Sequence, residues 1–279
     1  MLSDTSKHTS SESLPDALAP ELIQDGLATS IIAKDIYYFE SIDSTNRIAK
    51  EYAQTGASDG ALVVAEEQTG GRGRLNRTWI SPAGSSILCS CIMYPKISIA
   101  SIFRITMLAS LGVVRAIDRA CGMEAQIKWP NDVYINEKKV CGILTEFGSA
   151  RDKTLYAVVG IGLNVNFDIE KCPEISDSAT SLRNIRGSSV ARLPLFKALL
   201  EELDKLYLDF MQTGSCNVRS EWERHSMILN RPVEIICGDE TMRGIARGFN
   251  EDGHLLLEDS GVLKTILCGD VSLRLERNA

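Results

Sequence analysis

The sequence lacks most of the signatures by which a function is usually read. Its eight cysteines include no C-x-x-C pair, and His8, His225 and His254 stand far apart. No metal-ligand spacing results. A G-x-x-x-x-G-K-[ST] loop is missing, which excludes a Walker-type phosphate site, and no G-x-G-x-x-G turn marks a dinucleotide fold. Basic excess is also missing. The formal net charge is -7, which argues against a general nucleic-acid binder. No apolar run reaches the length of a membrane span. The N-terminus has no apolar core of a secretion signal and too many acids for an organellar transit peptide. These absences predict a reduced, cytoplasmic protein with no membrane segment. If residues 87–93 form a strand, Cys89 and Cys91 share one face and read as buried thiols.

At 279 residues the chain has room for one large domain and a small one. Residues 1–34 read as a flexible arm. Residues 1–13 are rich in Ser and Thr with acids mixed in, a composition that resists folding. Residues 14–30 carry a helical stripe of Leu18, Leu22 and Ile23. The arm is too short for a complete helix-turn-helix domain.

The rest of the chain is organised around residues 68–79, Q-T-G-G-R-G-R-L-N-R-T-W. Gly70, Gly71 and Gly73 free the backbone and let amides approach a ligand, while Arg72, Arg74 and Arg77 bring charged forks suited to carboxylates or phosphates. Such a loop can close over an anionic small molecule. A mobile surface loop made soluble by its charges would read the same way.

Strands are predicted over residues 36–40, 61–67 and 86–93, with a helix after the S-T-N turn at Ser44, Thr45 and Asn46. That turn can cap the helix, or face its hydroxyl and amide groups to a ligand. Gln68 ends the second strand with an amide that both donates and accepts. Residues 99–120 form a long amphipathic core helix stopped by Gly122. Q-I-K-W-P-N-D over 126–132 follows. Pro130 ends the strand there and fixes the direction of Lys128, which then neutralises an anion or snorkels at the surface. Residues 133–135 and 139–147 form a hairpin, whose Gly142 implies close approach of a ligand or another backbone. Residues 156–164 form a further strand ending in G-I-G-L-N-V-N, with Asn164 and Asn166 on one face. Residues 193–211 and 218–225 read as helices. Short β-rich runs between turns occupy 233–275.

Taken together and in this order, G-G-R-G-R-L-N-R-T-W, K-W-P-N-D, K-V-C-G-I-L-T-E and G-I-G-L-N-V-N resemble the biotin–protein ligases, from about Tyr37 to the C-terminus. The resemblance implies an α+β fold. A mixed β-sheet catalytic domain with packed helices (35–228) would be followed by a small SH3-like β-barrel (229–279). It implies activation of biotin by ATP as biotinyl adenylate and transfer to a lysine of a biotin carboxyl carrier domain, with Mg²⁺ as the expected companion of ATP. Its metal ligands cannot be named from the sequence.

By the match, Lys128 bridges biotin's carboxyl group and the phosphoryl oxygen and, with Arg74, carries catalysis. Arg72, Gly73 and Arg74 hold the carboxylate and α-phosphate. Ser44, Thr45, Asn46 and Gln68 bind the ureido ring, and Trp79 walls the site. Arg74, Arg77, Asn131 and Asn164 fall to the nucleotide. Many family members have glycine where this chain has Asn76, a residue that tolerates left-handed backbone. The family's regulatory members also carry an N-terminal DNA-binding winged helix. With a short acidic arm in its place, the expectation is a ligase without specific DNA binding. A homodimer is possible, since relatives pair through a sheet edge. A lipoate or octanoate ligase of the related fold is the alternative, and a non-catalytic DNA-binding regulator is a more distant one.

Overall fold

Apolar alternation in the strand segments builds a seven-stranded sheet. Its order is β1 (Ile36–Ile42), β2 (Leu62–Gln68), β3 (Ser86–Met93), β7 (Leu155–Asn164), β6 (Lys138–Ser149), β5 (Asp132–Ile135) and β4 (Gln126–Lys128). The computed structural model describes residues 16–150, 154–213, 218–267 and 269–273. The first two strands run parallel and are joined by helix α2 (Thr45–Gln54), while the remaining neighbours are antiparallel. Because side chains alternate across a strand, the sheet buries two different faces. Val63, Ile92 and Val158 pack with Ala49 and Ala53 of α2. Their neighbours Val64, Cys91 and Val159 enter the larger core with helices α3 (Phe103–Cys121) and α5 (Arg192–Thr213). These two helices approach closely: a Cβ on Gly112 would lie 2.9 Å from Leu203. Cys89 and Cys91 are buried free thiols, as expected.

The segment over 99–121 is long and apolar enough to cross a membrane by length and composition, contrary to the sequence reading. Its residues lie instead between the sheet and α5, as a core helix. A short 3₁₀ turn at Ile99–Ser101 precedes the α-helix, and Gly122 closes it in left-handed conformation.

The expected arm divides. Residues 1–15 lie outside the described residues. From Asp16 onward the chain is stitched to the core, with Pro20–Gln24 helical (α1). Leu18 and Ile23 are buried, whereas Leu22 of the expected stripe points outward. Arg192, 1% exposed, donates to Glu66 Oε2 at 2.7 Å, to Ser86 O at 3.0 Å and to Asp16. Glu66 Oε1 in turn accepts from Leu18 N at 2.7 Å. The Asp204 carboxylate accepts from the amides of Ser30, Ile31 and Ile32. Arg192 and Glu66 are thus paired and Asp204 is hydrogen-bonded to three amides, as burial requires.

The C-terminal part is a five-stranded antiparallel sheet ordered β11 (Val262–Ile266), β10 (Leu255–Asp259), β9 (Glu240–Phe249), β8 (Pro232–Cys237) and β12 (Asp270–Leu273). β12 lay inside the expected 233–275 span but was not resolved as a strand from sequence. Helices α4 (Leu182–Arg186) and α6 (Val218–His225) complete the order. The C-terminal sheet is docked through aromatic anchors. Trp129 is buried and donates from Nε1 to Gly253 O at 3.1 Å, and Trp222 meets Phe249 edge-on with ring centres 4.5 Å apart. Arg104 pairs with Asp252 beside them. Trp129 of the K-W-P-N-D motif is therefore an anchor between the two sheets. Among the described residues, β6 beyond Ile143 has no strand neighbour on the side away from β7, which gives the main sheet a free edge.

Removing one partner of a buried ion pair costs about 3–5 kcal/mol. Arg192→Leu should lower stability on that scale, read as a lower urea midpoint, because Glu66 and Asp16 lose their counter-charge together. An unchanged midpoint would show that the Asp16–Ala33 segment does not depend on this cluster.

Candidate active site

Three glycines leave a bare patch on the sheet. Gly142 of β6 sits opposite Gly162 of β7, and Gly160 opposite Leu144. A Cβ on Gly162 would come within 2.6 Å of the Trp79 ring, and one on Gly142 within 2.9 Å of it. A Cβ on Gly160 would collide with Asn46. The indole and the amide therefore lie directly on backbone, where any side chain would lift them off. The close approach anticipated at Gly142 is made by an aromatic ring. Trp79 is held at its own backbone by its N–H to Gly71 O at 2.9 Å.

Over this patch opens a cavity of about 350 Å³. It collects Ser44, Thr45, Asn46, Gln68, Arg72, Gly73, Arg74, Arg77, Trp79, Asn131 and Asn164 from the sequence-predicted set. Lys128 does not line it. Its Nζ is 3.4 Å from the Tyr134 hydroxyl and 5.1 Å from that ring's centre, so it lies against a residue of the cavity wall. Burial holds the Lys128 ammonium below the ordinary lysine range; Asp132 and Asp270 oppose this, while Lys139 and Arg77 add to it.

The lysine that does line the cavity is Lys139. Its Nζ lies 5.5 Å from the centre of the Trp79 ring and 2.8 Å from Asp132 Oδ1. The Asp132 contact is an ion contact without hydrogen-bond alignment, since Asp132 Oδ1 has no hydrogen-bond partner. The backbone of Lys139 is clamped from the far side: its N–H donates to Ser178 O at 3.0 Å and its carbonyl accepts from Thr180 N at 2.8 Å. Sequence reading passed over Lys139, Asp132, Tyr134 and Asp270. Lys139 reads as the first residue of an ordinary strand, and Asp132 ends K-W-P-N-D with no chemistry of its own in the pattern. The one available signal was Lys139's position three residues before Gly142.

The S-T-N turn does not act as a side-chain cap. Ser44 is the N-cap residue of α2, yet its side chain makes no capping bond. Instead Thr45 donates from N and Oγ1 to Gln68 Oε1, at 2.8 and 3.0 Å. Ser90 Oγ lies within hydrogen-bond reach of Thr45 Oγ1 and Asn46 Oδ1, and Asn46 Nδ2 donates to Leu144 O and Glu146 Oε2. Thr45 and Asn46 are thus committed to the framework. Ser44, 5% exposed, presents its hydroxyl to the cavity without a partner among the described residues.

The arginine loop folds back on itself. Gly70 N donates to Asp43 O, Gly73 N to Arg77 O at 2.7 Å and Arg77 N to Arg74 O at 3.1 Å. The amide of Gly73, expected to face a ligand, is used inside the loop. Left-handed backbone falls on Leu75 (φ 54°, ψ 39°). Arg74 donates to Asn131 Oδ1 at 2.9 Å and to Gly269 O at 3.4 Å, and Arg77 pairs with Asp270. Asn131 is itself held by its Nδ2 on Ile143 O at 2.7 Å. The C-terminal sheet therefore supplies a carboxylate and a carbonyl to the loop.

Electrostatically the cavity opposes the chain as a whole. Arg72, Arg74, Arg77 and Lys139 face only Asp132 and Asp270, in a protein of net charge -7. Trp79 Nε1, Asp132 Oδ1 and Asn164 Oδ1 are buried along its walls with no hydrogen-bond partner among the described residues. Unsatisfied buried polar atoms are costly, and their convergence on one cavity marks it as built for a polar ligand. Asn164 spends its amide on Thr180 O, while Asn166 is tied on both ends to Val190 and takes no part. Cys89, also in the wall, has its thiol pushed up to about 12 by burial and is no nucleophile.

The sequence model of the Biotin/lipoate A/B protein ligase family matches residues 38–164, and that of the Biotin protein ligase C terminal domain matches 228–274. The bifunctional ligase/repressor BirA of Bacillus subtilis is 35% identical over 260 residues, which are 93% of this chain and 80% of that protein. The biotin–[acetyl-CoA-carboxylase] ligase of Paracoccus denitrificans is 30% identical over 234 residues, 82% of this chain and 96% of that one. Among solved structures, the biotin protein ligase from Aquifex aeolicus in complex with biotin and ATP superposes with a TM-score of 0.76 at 32% identity, covering 86% of this chain and 99% of that chain. With the bare sheet patch, the arginine loop and both family regions in one order, this chain belongs to the biotin–protein ligase family.

Proposed function

We propose that this chain is an ATP-dependent ligase that activates biotin as biotinyl-5'-AMP and transfers the biotinyl group to a lysine of a biotin carboxyl carrier domain. The observation that carries the reading is the single cavity in which neutral donors at the start of α2 and a cationic set around Arg74 and Lys139 share one apolar floor. The match of residues 228–274 to a biotin ligase C-terminal domain favours biotin over lipoate.

In the first step the biotin carboxylate attacks the α-phosphorus of ATP and pyrophosphate leaves. Two anions must meet, so cations placed beforehand at the junction lower the barrier. Lys139 is the better candidate for the bridging ammonium, because it faces the cavity and Lys128 stands behind Tyr134. Arg72, Arg74 and Arg77 take the phosphates and the carboxylate, with Asn131 orienting Arg74. Ser44 and the amide of Gln68 receive the ureido ring, and Trp79 covers the apolar body. The same closed loop would keep water from the mixed anhydride.

For the divalent ion that accompanies ATP, no cluster of three acidic, histidine or cysteine side chains exists among the described residues. Magnesium on a nucleotide needs only one or two protein oxygens beside the phosphates. Asp132 Oδ1, in ion contact with Lys139 but without a hydrogen bond, and Asn164 Oδ1, without a hydrogen-bond partner among the described residues, fit that demand and would hold it. Once bound, it would supply neutralisation of phosphate charge.

Lys139→Ala should cut adenylate formation by about 100-fold or more, the scale of losing one preorganised charge at the reacting centre. Lys128→Ala should cost less, since its ammonium acts from behind Tyr134. Pyrophosphate exchange ranks the two, and a larger loss in Lys128→Ala would return the bridging role to that residue. Ser44→Ala should weaken biotin by about 1–3 kcal/mol with unchanged melting temperature. Asn46→Ala should instead lower the melting temperature, because it strips partners from Ser90 and Glu146. Calorimetric titration and thermal unfolding of both variants check the division, and equal melting losses would contradict it.

A further inference from the structure

A second cavity, of about 320 Å³, adjoins the first and shares Ser44, Arg72, Gly73, Arg74 and Leu144 with it. Residues 72–74 are therefore a wall common to both. The two cavities meet at this loop. Arg47, Lys50, Leu75 and Glu146 line the outer cavity alone; Arg47 is paired with Asp43 and Glu51, and Glu146 is the carboxylate of the lining. Its position on β6 follows Gly142 and Leu144 at the two-residue step that keeps side chains on one face, so it continues the floor of the site outward. One carboxylate oxygen is fixed by Asn46 Nδ2 at 2.9 Å, and Asn46 is itself 6% exposed. The other oxygen holds the ammonium of Lys50 at 2.7 Å. The groove thus already binds a lysine ammonium supplied by its own chain.

We infer that this groove is the channel for the acceptor lysine, and that Glu146 is its ammonium-binding residue, with Lys50 as the internal occupant that the incoming side chain displaces. The inference rests on the ligase reading above. Both Lys50 and Glu146 are one-third exposed, and an ion pair in such a position is weak enough to exchange. The fixed oxygen pattern gives the acceptor a defined direction, and this converts a diffusing lysine into one aimed at the acyl carbon. In the transfer, the lysine ammonium loses a proton to solvent and its nitrogen forms the amide bond with the acyl carbon. The acyl C–O bond breaks, AMP leaves with that electron pair, and the nitrogen's second proton passes to solvent. Glu146 binds and orients the ammonium and takes no proton.

The test uses the full chain, biotin and Mg·ATP, with a carrier domain as one acceptor and hydroxylamine as the other. Hydroxylamine is uncharged at neutral pH and needs no carboxylate. Glu146→Gln keeps an acceptor for Asn46 but removes the charge. It should leave pyrophosphate exchange and hydroxylamine capture within twofold of the wild type, and raise the carrier KM at least tenfold. Lys50→Ala, which frees Glu146, should leave the carrier KM equal or lower. Unchanged carrier KM in Glu146→Gln overturns the inference, as does an equal loss with hydroxylamine. Loss of carrier labelling in Lys50→Ala would also overturn it, by showing that the pair is a clamp between α2 and β6. Failure of the wild type to form biotinyl adenylate would instead sink the ligase reading itself, and pyrophosphate exchange separates the two cases.

Discussion

Everything at the site depends on the contact between the Trp79 ring and the bare backbone of Gly142 and Gly162. Interiors are packed as tightly as molecular crystals, so a ring can rest on a sheet only where Cβ atoms are missing. Those glycines sit in the middle of β6 and β7, where they cost strand stability. The cost is offset by what they admit. Trp79 fixes the far end of the arginine loop, and Lys139 Nζ comes to rest over the ring. Gly160 does the same for Asn46, which links the start of α2 to β3 and β6 through Ser90, Leu144 and Glu146. A flat sheet surface is thereby converted into a floor with two fixed walls.

On that floor the charge distribution is the reverse of the chain's. A net charge of -7 would repel nucleotide and carboxylate alike, but Arg72, Arg74, Arg77 and Lys139 outnumber the two carboxylates that face them. Local fields in a partly desolvated cleft outweigh distant surface charge, because salt screens the latter within about 10 Å. The arginines do not hang free. Asn131 and Gly269 O receive Arg74, and Asp270 receives Arg77. Asp270 is the first residue of β12 and Gly269 precedes it, so the C-terminal sheet takes part in the electrostatics of the cavity. Its rigid seating through Trp129 and Trp222 fixes where that carboxylate stands.

The sequence revealed elements more readily than it revealed which side chains meet. Strands β1, β2, β3 and β7 and helices α3, α5 and α6 follow from periodicity and their Gly stops, because local pattern determines local structure there. The cavity set from Ser44 to Asn164 was legible through the resemblance that four motifs carry jointly, since the S-T-N turn alone reads as a helix cap and the glycine–arginine loop alone as a solvated one. Lys139 was not, since a lysine at the start of a strand looks like any solvated strand end. Only the crossing of residues 172–181 behind it, with a bond from Lys139 N to Ser178 O and one from Thr180 N to Lys139 O, turns it inward. Lys128 misled for the converse reason. Its motif is rare, but what makes the motif rare is Trp129, whose partner is Gly253 more than a hundred residues away. The packing of 16–35 was invisible as well. It rests on Arg192 and Asp204, both in a helix whose pattern shows only an amphipathic face.

A ligase that makes a water-sensitive intermediate must shut the site and still admit a second substrate, and the two demands conflict unless the wall is held by contacts of different strength. Residues 70–73 and 77–79 are tied by backbone hydrogen bonds to Asp43, Arg77 and Gly71, which persist while the sheet persists. The arginine side chains of the same stretch are tied by partly exposed ion pairs and a long bond to a carbonyl, which salt and ligands readily displace. The loop can therefore keep its course while its guanidinium groups change partners from Asp270 to a phosphate. Leu75, left-handed and 70% exposed, lies at the turn of this loop and lines the outer cavity. An L-residue in this conformation carries strain of about 1–2 kcal/mol, so the turn is a strained point of the wall. Closure and access are then properties of one loop, separated by the kind of bond each part makes.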